Sequence, residues 1–128
     1  MLYPLPAVMV SCGREGEKPN IITLAWVGTV CSDPVMVSVS IRPERYSYHI
    51  IRETGEFVIN LTTKKLAYAA DYCGVKSGRD VDKFSGYPDC RRSSNGLYYV
   101  TAGSNGYISA VTEQAIDLGS HTLFIASV

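Results

Sequence analysis

The chain has 128 residues, a length that fits one domain, and we expect a single domain over residues 1–128. Its 12 Lys and Arg residues balance 12 Asp and Glu residues, so no overall positive charge attracts a nucleic-acid backbone and we expect no nucleic-acid partner. With 46% hydrophobic residues the composition excludes intrinsic disorder, and no apolar run reaches the roughly 20 residues of a membrane-spanning helix.

The N-terminus and the cysteines indicate the compartment. The apolar N-terminal stretch lacks the positively charged start and the small-residue cleavage site of an export signal. The four cysteines are scattered and form no Cys-x-x-Cys pair, which is typical of reduced thiols and not of a disulfide framework or a structural zinc site. We therefore expect a cytoplasmic protein with no metal site and no membrane partner.

The first third of the chain has the composition of β-strands. Residues 7–12 and 21–27 are short β-rich runs, and the glycines, charges and proline of 13–20 predict a turn that joins them in a hairpin. Residues 35–41 alternate Val or Ile with Met or Ser. This alternation predicts a half-buried strand with its Val and Ile side chains on one face.

Two short helices are predicted in the middle of the chain. Residues 46–54 place apolar side chains at helical spacing, and the glycine that follows occupies the position of a left-handed C-cap. A strand at 57–61 comes next. Thr62 or Thr63 is then placed to cap a second helix, which we expect to end at Gly74.

The remaining third combines a polar connection with more strands. Residues 75–95 are polar, and so long a connection in a small domain is usually functional or disordered. Residues 96–101, 107–112 and 121–128 predict three further strands. The turns between them are predicted at 103–106 and 117–120. About six strands at this spacing are typical of a barrel or a sandwich.

Two segments carry the residue types that bind an anion. Arg45 and Ser47 lie at the start of the first predicted helix, where free backbone N–H groups and the helix dipole favour a phosphate. On these residues alone, a solvated helix start is the more common explanation. The loop 77–84 joins a glycine to Arg79 and Lys83, although its two aspartates offer surface ion pairs as an alternative.

Three single residues also have a functional and an ordinary interpretation. His121 follows a Gly-Ser turn, where an imidazole can contact a ligand or donate a proton, but a histidine at a turn is more often only hydrogen-bonded. Trp26 is more often a core residue than a stacking platform. Cys31, with apolar neighbours, is better interpreted as a strand residue than as a nucleophile.

Several segments keep one order along the chain. They read PAVMVSCG at 6–13, NIITLAWVGTVCSDP at 20–34, IRPERYS at 41–47, FVINL at 57–61, SGRDVDKF at 77–84 and LGSH at 118–121. In this order they resemble the flavin reductase-like family of FMN-binding split β-barrels, which includes the flavoredoxins. The stretch from 93–101 to 124–126 is similar to the reductase domains of a rubredoxin-associated branch.

The resemblance implies a fold and an assembly. The fold is mainly β, a Greek-key split β-barrel with two or three short helices. The chain is implied to form a homodimer, with FMN bound in a groove near the subunit interface.

The same resemblance implies a set of site residues. Those that match the ring-binding stretch, where backbone groups meet the polar edge of the isoalloxazine, are Thr23, Ala25, Trp26, Thr29, Val30 and Cys31. Arg45 and Ser47 match the phosphate-binding turn. The loop that closes on the cofactor is matched by Ser77, Gly78, Arg79 and Lys83. His121 matches a position that faces the flavin, and as the expected catalytic residue it helps to bind or orient the nicotinamide.

The implied activity is that of an oxidoreductase. It takes a hydride from NADH or NADPH and passes electrons through FMN to free flavin, an iron protein or another acceptor. Two alternatives stay open. One is an FMN-holding electron-transfer protein without NAD(P)H activity, and the other is a cofactor-free dimeric barrel that serves as an interaction module.

Overall fold

A computed structural model describes residues 2–13, 18–86, 90–92, 96–101, 104 and 106–128, with the backbone alone at 85 and 86. The strands in these residues are β1 (Val8–Cys12), β2 (Asn20–Leu24), β3 (Val27–Ser32), β4 (Val35–Ile41), β5 (Glu56–Asn60), β6 (Cys90–Arg92), β7 (Tyr98–Val100), β8 (Tyr107–Asp117) and β9 (Thr122–Ser127). The helices are α1 (Tyr46–Thr54), a 3-10 helix (Lys64–Leu66), α2 (Ala67–Val75) and α3 (Lys83–Gly86). None of the helices described is long and apolar enough to cross a membrane.

Seven of these strands form one antiparallel sheet in the order β2-β1-β5-β8-β9-β4-β3. Its two edge strands, β2 and β3, are consecutive in sequence, with Ala25 and Trp26 as their whole connection. So short a link brings the ends of the two edge strands together and curls the sheet, and the Ser40 N–H donates to the Trp26 carbonyl at 3.0 Å at this corner. The curled sheet confirms the predicted mainly β split barrel with short helices.

The core has two layers because both faces of β1 and β2 are buried. Successive strand residues point to opposite faces, so Val10 and Ile22 lie inside the curl with the side chains of β4, β5 and β9. Met9 and Ile21 lie on the other face, in a second cluster formed with α2. This double burial explains why these strands are almost continuously apolar.

The strand predicted at 35–41 and the helix predicted at 46–54 are confirmed. β4 covers the predicted residues 35–41, and Val37, Val39 and Ile41 are buried, whereas Val35 is 53% exposed at the strand's start. α1 has the predicted bounds, and Gly55 closes it in the left-handed conformation with φ of 69°.

The single strand predicted at 21–27 is wrong. β2 ends at Leu24 and β3 begins at Val27, so the run is divided between the two edges of the sheet. Nothing in the local sequence marks this break, because no Gly, Pro or Asn lies between Ile21 and Val27. The break is set by closure of the sheet.

The predicted end and cap of the second helix are also corrected. α2 continues through Gly74 to Val75, and a Cβ atom at position 74 would lie 3.3 Å from Cβ of Thr23. The glycine therefore allows a close approach of helix and strand, which is a packing role. Thr63 precedes the 3-10 helix without a side-chain capping bond, and the Thr62 hydroxyl donates to the Ala7 carbonyl.

The C-terminal third is more regular than predicted. The polar stretch 75–95 contains the end of α2, α3 and β6, and β6 pairs with β7 in a separate two-stranded sheet. β8 extends to Asp117, beyond the predicted 107–112, and pairs with β9 across the predicted turn. The predicted turns at 13–20 and 103–106, and residues 93–95, lie partly or wholly outside the described residues.

Candidate functional site

A cationic cleft of about 220 Å³ lies where the start of β2, the N-terminus of α1 and the C-terminus of α2 meet. Its lining residues are Asn20, Ile22, Glu44, Arg45, Tyr46, Val75, Lys76, Ser77, Gly78, Arg79 and Lys83. Four of these side chains are Lys or Arg and one is Glu, which gives the cleft a local excess of positive charge in a chain that is neutral overall. Such an excess favours an anionic ligand.

The N-terminus of α1 faces this cleft without a neutralising group of its own. Among the described residues no side chain caps the helix, and no acidic residue lies in its first turn. Ser47, in that turn, is fully buried, and its Oγ accepts a hydrogen bond of 2.8 Å from Nδ2 of Asn20. The N–H groups of a helix start are favourable partners for an anion.

Carbonyl groups at the C-terminus of α2 hold two cationic side chains in the wall of the cleft. Arg45 donates from Nη2 to the Gly74 carbonyl at 3.0 Å. Lys83 donates from Nζ to the carbonyls of Cys73 and Ile21, each at 2.8 Å. These bonds satisfy carbonyls at the negative end of the helix dipole and tie α2 to β2. The two cations are therefore held in position by the protein itself.

Lys83 is unusual because it is a charged residue with only 2% of its surface exposed. Burial lowers its pKa from 10.5 to about 8; Cys73 opposes this shift and Arg45 adds to it. The ammonium group is thus protonated at neutral pH and loses its charge in mildly alkaline solution. The sequence predicted a loop lysine at this position, whereas the structure places it at the start of α3 and inside the cleft wall.

The loop that follows α2 is held against Tyr46. The Lys18 ammonium and the Arg79 guanidinium lie 5.2 Å and 5.8 Å from the centre of the Tyr46 ring. Lys18 also donates to the Gly78 carbonyl at 2.7 Å, and Arg79 donates to the Glu44 carbonyl at 2.8 Å. These contacts close the loop over one side of the cleft.

Gly78 is required by the close approach of this loop. A Cβ atom there would lie 2.5 Å from Cδ1 of Tyr46 and 2.6 Å from Oδ1 of Asn20, both too short for any side chain. The position is buried. Any larger residue must therefore move the loop or the two side chains that line the cleft.

A second groove, of about 390 Å³, lies at the corner between β2 and β3 and includes Ala25 and Trp26. The imidazole of His121 packs against the Trp26 ring with a centroid distance of 4.5 Å. Its Nδ1 forms a 2.8 Å hydrogen bond with Oγ of Ser120. Burial lowers the pKa of His121, and the positive charge of Arg42 lowers it further. The imidazole is therefore neutral at pH 7.

β3 presents an open edge next to this corner. Within the described part of the chain it pairs with β4 alone, and the pairing shifts register between Thr29 and Cys31. Val30 is thus a bulge residue that has no partner in the ladder, and 50% of its surface is exposed. The backbone of this segment is available for contacts outside the chain.

A third groove adjoins the cationic cleft. It has a volume of about 580 Å³, lies between β2 and α2, and includes Thr23, Gly74 and Val75. Val75 also lines the cationic cleft, so the two cavities adjoin. The Thr23 hydroxyl donates to the Ala70 carbonyl and ties β2 to α2.

The structure groups most of the expected site residues. The cationic cleft contains Arg45, Ser77, Gly78, Arg79 and Lys83, with Ser47 buried next to it. The β2–β3 corner and its edge contain Ala25, Trp26, Thr29, Val30, Cys31 and His121. The residues that sequence reasoning missed are Lys18, Asn20, Tyr46 and Lys76. Of these, Asn20 could have been found from the sequence, because it is a polar residue at the start of an apolar strand.

This combination defines a class of protein. A curled split barrel with a cationic cleft, a groove adjoining it and an edge strand combines a positively charged cavity with exposed aromatic and backbone groups. These are the two requirements of a nucleotide-type cofactor.

Comparisons with known proteins identify the family. The chain is 30% identical over 116 residues to the high molecular weight rubredoxin of Moorella thermoacetica, which covers 90% of this chain and 50% of that protein. It is similar to the flavoredoxin of Desulfovibrio vulgaris (Miyazaki F), with a TM-score of 0.82, 30% identity, and coverage of 99% and 68% of the two chains. An FMN-binding protein from Thermus thermophilus shares the fold, with a TM-score of 0.90, 22% identity, and coverage of 98% and 68%.

The model of the flavin reductase-like domain matches residues 1–128, and the chain belongs to the flavin reductase-like family. This confirms the resemblance stated from the sequence. The chain spans half the length of the rubredoxin relative. Family membership indicates flavin-based electron transfer as the class of chemistry.

Proposed function

We propose that the chain is an FMN-binding oxidoreductase that takes a hydride from NADH or NADPH and passes electrons to a flavin or protein acceptor. Family membership supports the flavin, and the cationic cleft is the observation that carries the proposal. A phosphate monoester is the ligand group that best fits four cationic side chains and an uncapped helix start.

Each residue of the cleft has a separate task in holding the phosphate. Arg45 and Lys83 supply charge from fixed positions on the α2 wall. Ser77 supplies a hydroxyl group, and the buried Ser47 holds the Asn20 amide at the cleft. Arg79, through its bond to the Glu44 carbonyl, keeps the loop closed over the cleft. The carboxylate of Glu44 repels the anion, and the positive side chains of the cleft outweigh this repulsion.

The ring end uses backbone groups and aromatic packing. Thr23, Ala25 and Trp26, followed by the segment 29–31, run along the corner and the bulged edge, where unpaired backbone groups meet the polar edge of a flavin. A bound flavin supplies reversible two-electron chemistry there. His121, neutral and packed on Trp26, is placed to orient a nicotinamide without supplying a charge.

A homodimer is part of the proposal. β3 is an edge strand, and a row of exposed apolar residues accompanies it, with Trp26, Val30 and Val35 exposed by 38%, 50% and 53%. An unprotected apolar edge is normally covered. A second copy packed there completes the ring end, and light scattering at several concentrations measures its formation.

One alternative has an observation in its favour. Similarity to a flavoredoxin and to a high molecular weight rubredoxin supports an FMN-holding electron-transfer protein that receives electrons from a protein donor and not from NAD(P)H. The cofactor-free barrel is less well supported, because it leaves the fixed cations of the cleft without a ligand.

The deciding experiment is a visible spectrum of the purified chain after mixing with FMN and desalting, repeated without oxygen after adding NADH or NADPH. We expect retained yellow colour that bleaches on addition of the nicotinamide. Colour that bleaches with dithionite but not with either nicotinamide supports the electron carrier. Complete loss of colour on desalting, together with no reduction of added FMN by NAD(P)H, contradicts the flavin proposal.

A further inference from the structure

Helix α2 exposes apolar side chains on its outward face. Ala69 and Cys73 are buried against the sheet, whereas Tyr68 and Val75, on the outward face, are 85% and 72% exposed. Asp71 is the charged residue exposed between them. Large exposed apolar side chains of this kind indicate that the outward face of α2 contacts another molecule.

Three lysines frame this surface. Lys64 and Lys65 lie in the 3-10 helix that leads into α2, and Lys76 follows its last turn. All three are exposed, and none of their side chains makes a hydrogen bond or an ion pair with any residue in the described ranges. Lys64 and Lys65 also lie at the N-terminal end, where the helix dipole disfavours cations, so helix stability does not explain them.

The surface adjoins the proposed flavin site. Val75 and Lys76 line the cationic cleft, and Val75 lines the neighbouring groove as well. A partner seated on the outward side of α2 therefore lies directly next to the cavities that receive the cofactor. The neighbouring groove contains both Val75 and Thr23, and Thr23 is the first residue of the proposed ring-binding stretch. A partner on α2 therefore reaches the ring through this groove and not through the phosphate cleft.

We propose that this surface docks a small acidic electron-transfer protein, which is the acceptor for the bound flavin. We call it the α2 face and define it by Lys64, Lys65, Tyr68, Val75 and Lys76. Its three lysines stand against a single exposed carboxylate, that of Asp71, which gives charge complementarity to an acidic partner. Tyr68 and Val75 supply the apolar centre that such an interface needs.

The inference deepens the proposed function and rests on it for the electron donor. Two molecules of a ferric partner each take one electron and become ferrous. One anionic reduced flavin gives up both electrons, returns to its oxidised form and releases one proton to water. No further oxidant or reductant is needed.

The test uses an acidic rubredoxin as the probe. The FMN-loaded chain is reduced with a stoichiometric amount of dithionite, so that nicotinamide activity does not enter, and is mixed with oxidised rubredoxin in a stopped-flow instrument. We expect a second-order rate constant that falls as the salt concentration rises. Binding of rubredoxin to the flavin-free chain is measured separately by titration calorimetry at low salt.

Variants locate the interaction. Changing the two lysines that lie outside the cleft, in K64E/K65E, is expected to lower both the rate and the affinity by about tenfold, and Tyr68→Ser by about fivefold. Lys76 is left unchanged because it lines the cationic cleft. Arg91→Glu, which reverses an exposed charge on β6, is the control for a charge change elsewhere and is expected to change either value by less than about twofold. Reduction of ferricyanide checks that the flavin in each variant still reacts.

The outcomes separate this proposal from the proposed function. Failure of the chain to hold FMN, with rubredoxin binding intact in the wild type and lost in K64E/K65E, overturns the flavin proposal and supports the α2 face. Equal rates and affinities for the wild type and the lysine variant overturn the α2 face, whatever the flavin does. The α2 face is also overturned if Tyr68→Ser dissociates a homodimer without changing the binding or reduction of rubredoxin. The face then contacts a second copy of the chain.

Discussion

The two ends of the proposed flavin site are built in different ways. At the phosphate end, Arg45 and Lys83 are bonded to carbonyls of α2 and β2, and the wall they form is largely buried. At the ring end, β3 is an edge strand of the described sheet, and Val30, at its bulge, has half of its surface exposed. One end is complete within a single chain, and the other is open.

This difference indicates how the free energy of binding is divided. Groups held in position before a ligand arrives lose little entropy when it binds, so the phosphate end provides most of the affinity. The open ring end contributes less affinity but leaves the reactive part of the cofactor accessible to a donor. Affinity and reactivity are therefore assigned to different parts of the fold, and four substitutions test this division.

The largest effect is expected from Arg45→Ala. The change removes a charge from the cleft and the donor to the Gly74 carbonyl, so FMN binding weakens by about 1.5 to 3 kcal/mol. Quenching of FMN fluorescence measures the affinity. An unchanged affinity contradicts the assignment of Arg45 to the phosphate, and with it the division between the two ends.

Gly78→Ala tests whether the phosphate end depends on its close packing. The added methyl group meets Tyr46 and Asn20 at 2.5 Å and 2.6 Å, and overpacking of this kind costs about 1 to 3 kcal/mol. Thermal unfolding and FMN titration are both expected to show the loss. Gly28→Ala is the matched control for stability, because a Cβ atom at position 28 meets no atom within 4 Å.

Lys83 makes both the free energy of unfolding and the FMN affinity depend on pH, in opposite directions. Burial lowers its pKa from 10.5 to about 8, so between these values the unfolded chain binds more protons than the folded one. The free energy of unfolding of the ligand-free chain therefore rises with pH across this window, by roughly 1 to 3 kcal/mol. FMN affinity falls over the same rise in pH, because the cleft loses a positive charge.

Denaturant titrations and FMN titrations between pH 7 and 9.5 measure both slopes. Lys83→Met, which keeps the length of the side chain but has no charge, is expected to flatten both in this window. Slopes that are identical in the variant and the wild type place the titrating group elsewhere.

The smallest effect on binding is expected at the ring end, from His121→Ala. The imidazole packs on Trp26 and is neutral at pH 7, so its loss slows reduction by NAD(P)H about fivefold while FMN affinity changes little. Anaerobic stopped-flow reduction measures the rate. Equal losses in rate and affinity mean that His121 is structural, and the two ends are then less distinct than proposed.

Elements that local chemistry determines were predictable from the sequence. The alternation at 35–41 and the glycine after residue 54 specify β4 and α1, since burial of one face and a left-handed cap act within a few residues. The break at Ala25 and Trp26 was not predictable, because closure of the whole sheet imposes it on an apolar run. Gly74 misled for a related reason, since its contact with Thr23 is tertiary.

The sequence named candidate site residues but not their geometry. The family resemblance named Arg45, Ser47 and the loop around Gly78, and the structure brings them together. Burial of Lys83, and its bonds to two carbonyls, depend on how α2 packs on β2. Pairing of Trp26 with His121 joins positions far apart in sequence, so no local pattern contains it.

The two-residue corner between β2 and β3 also has a consequence for how the chain folds. The hairpins β1–β2 and β3–β4 form between near neighbours in sequence and are joined at this corner. The remaining closure depends on β9 pairing with β4 and on β8 pairing with β5, strands that lie far apart in sequence. Long-range pairing of this kind slows folding, because the entropy of a large loop is lost before the contacts form. The corner thus assembles early, while the barrel of which it is part is completed only when the last strand arrives.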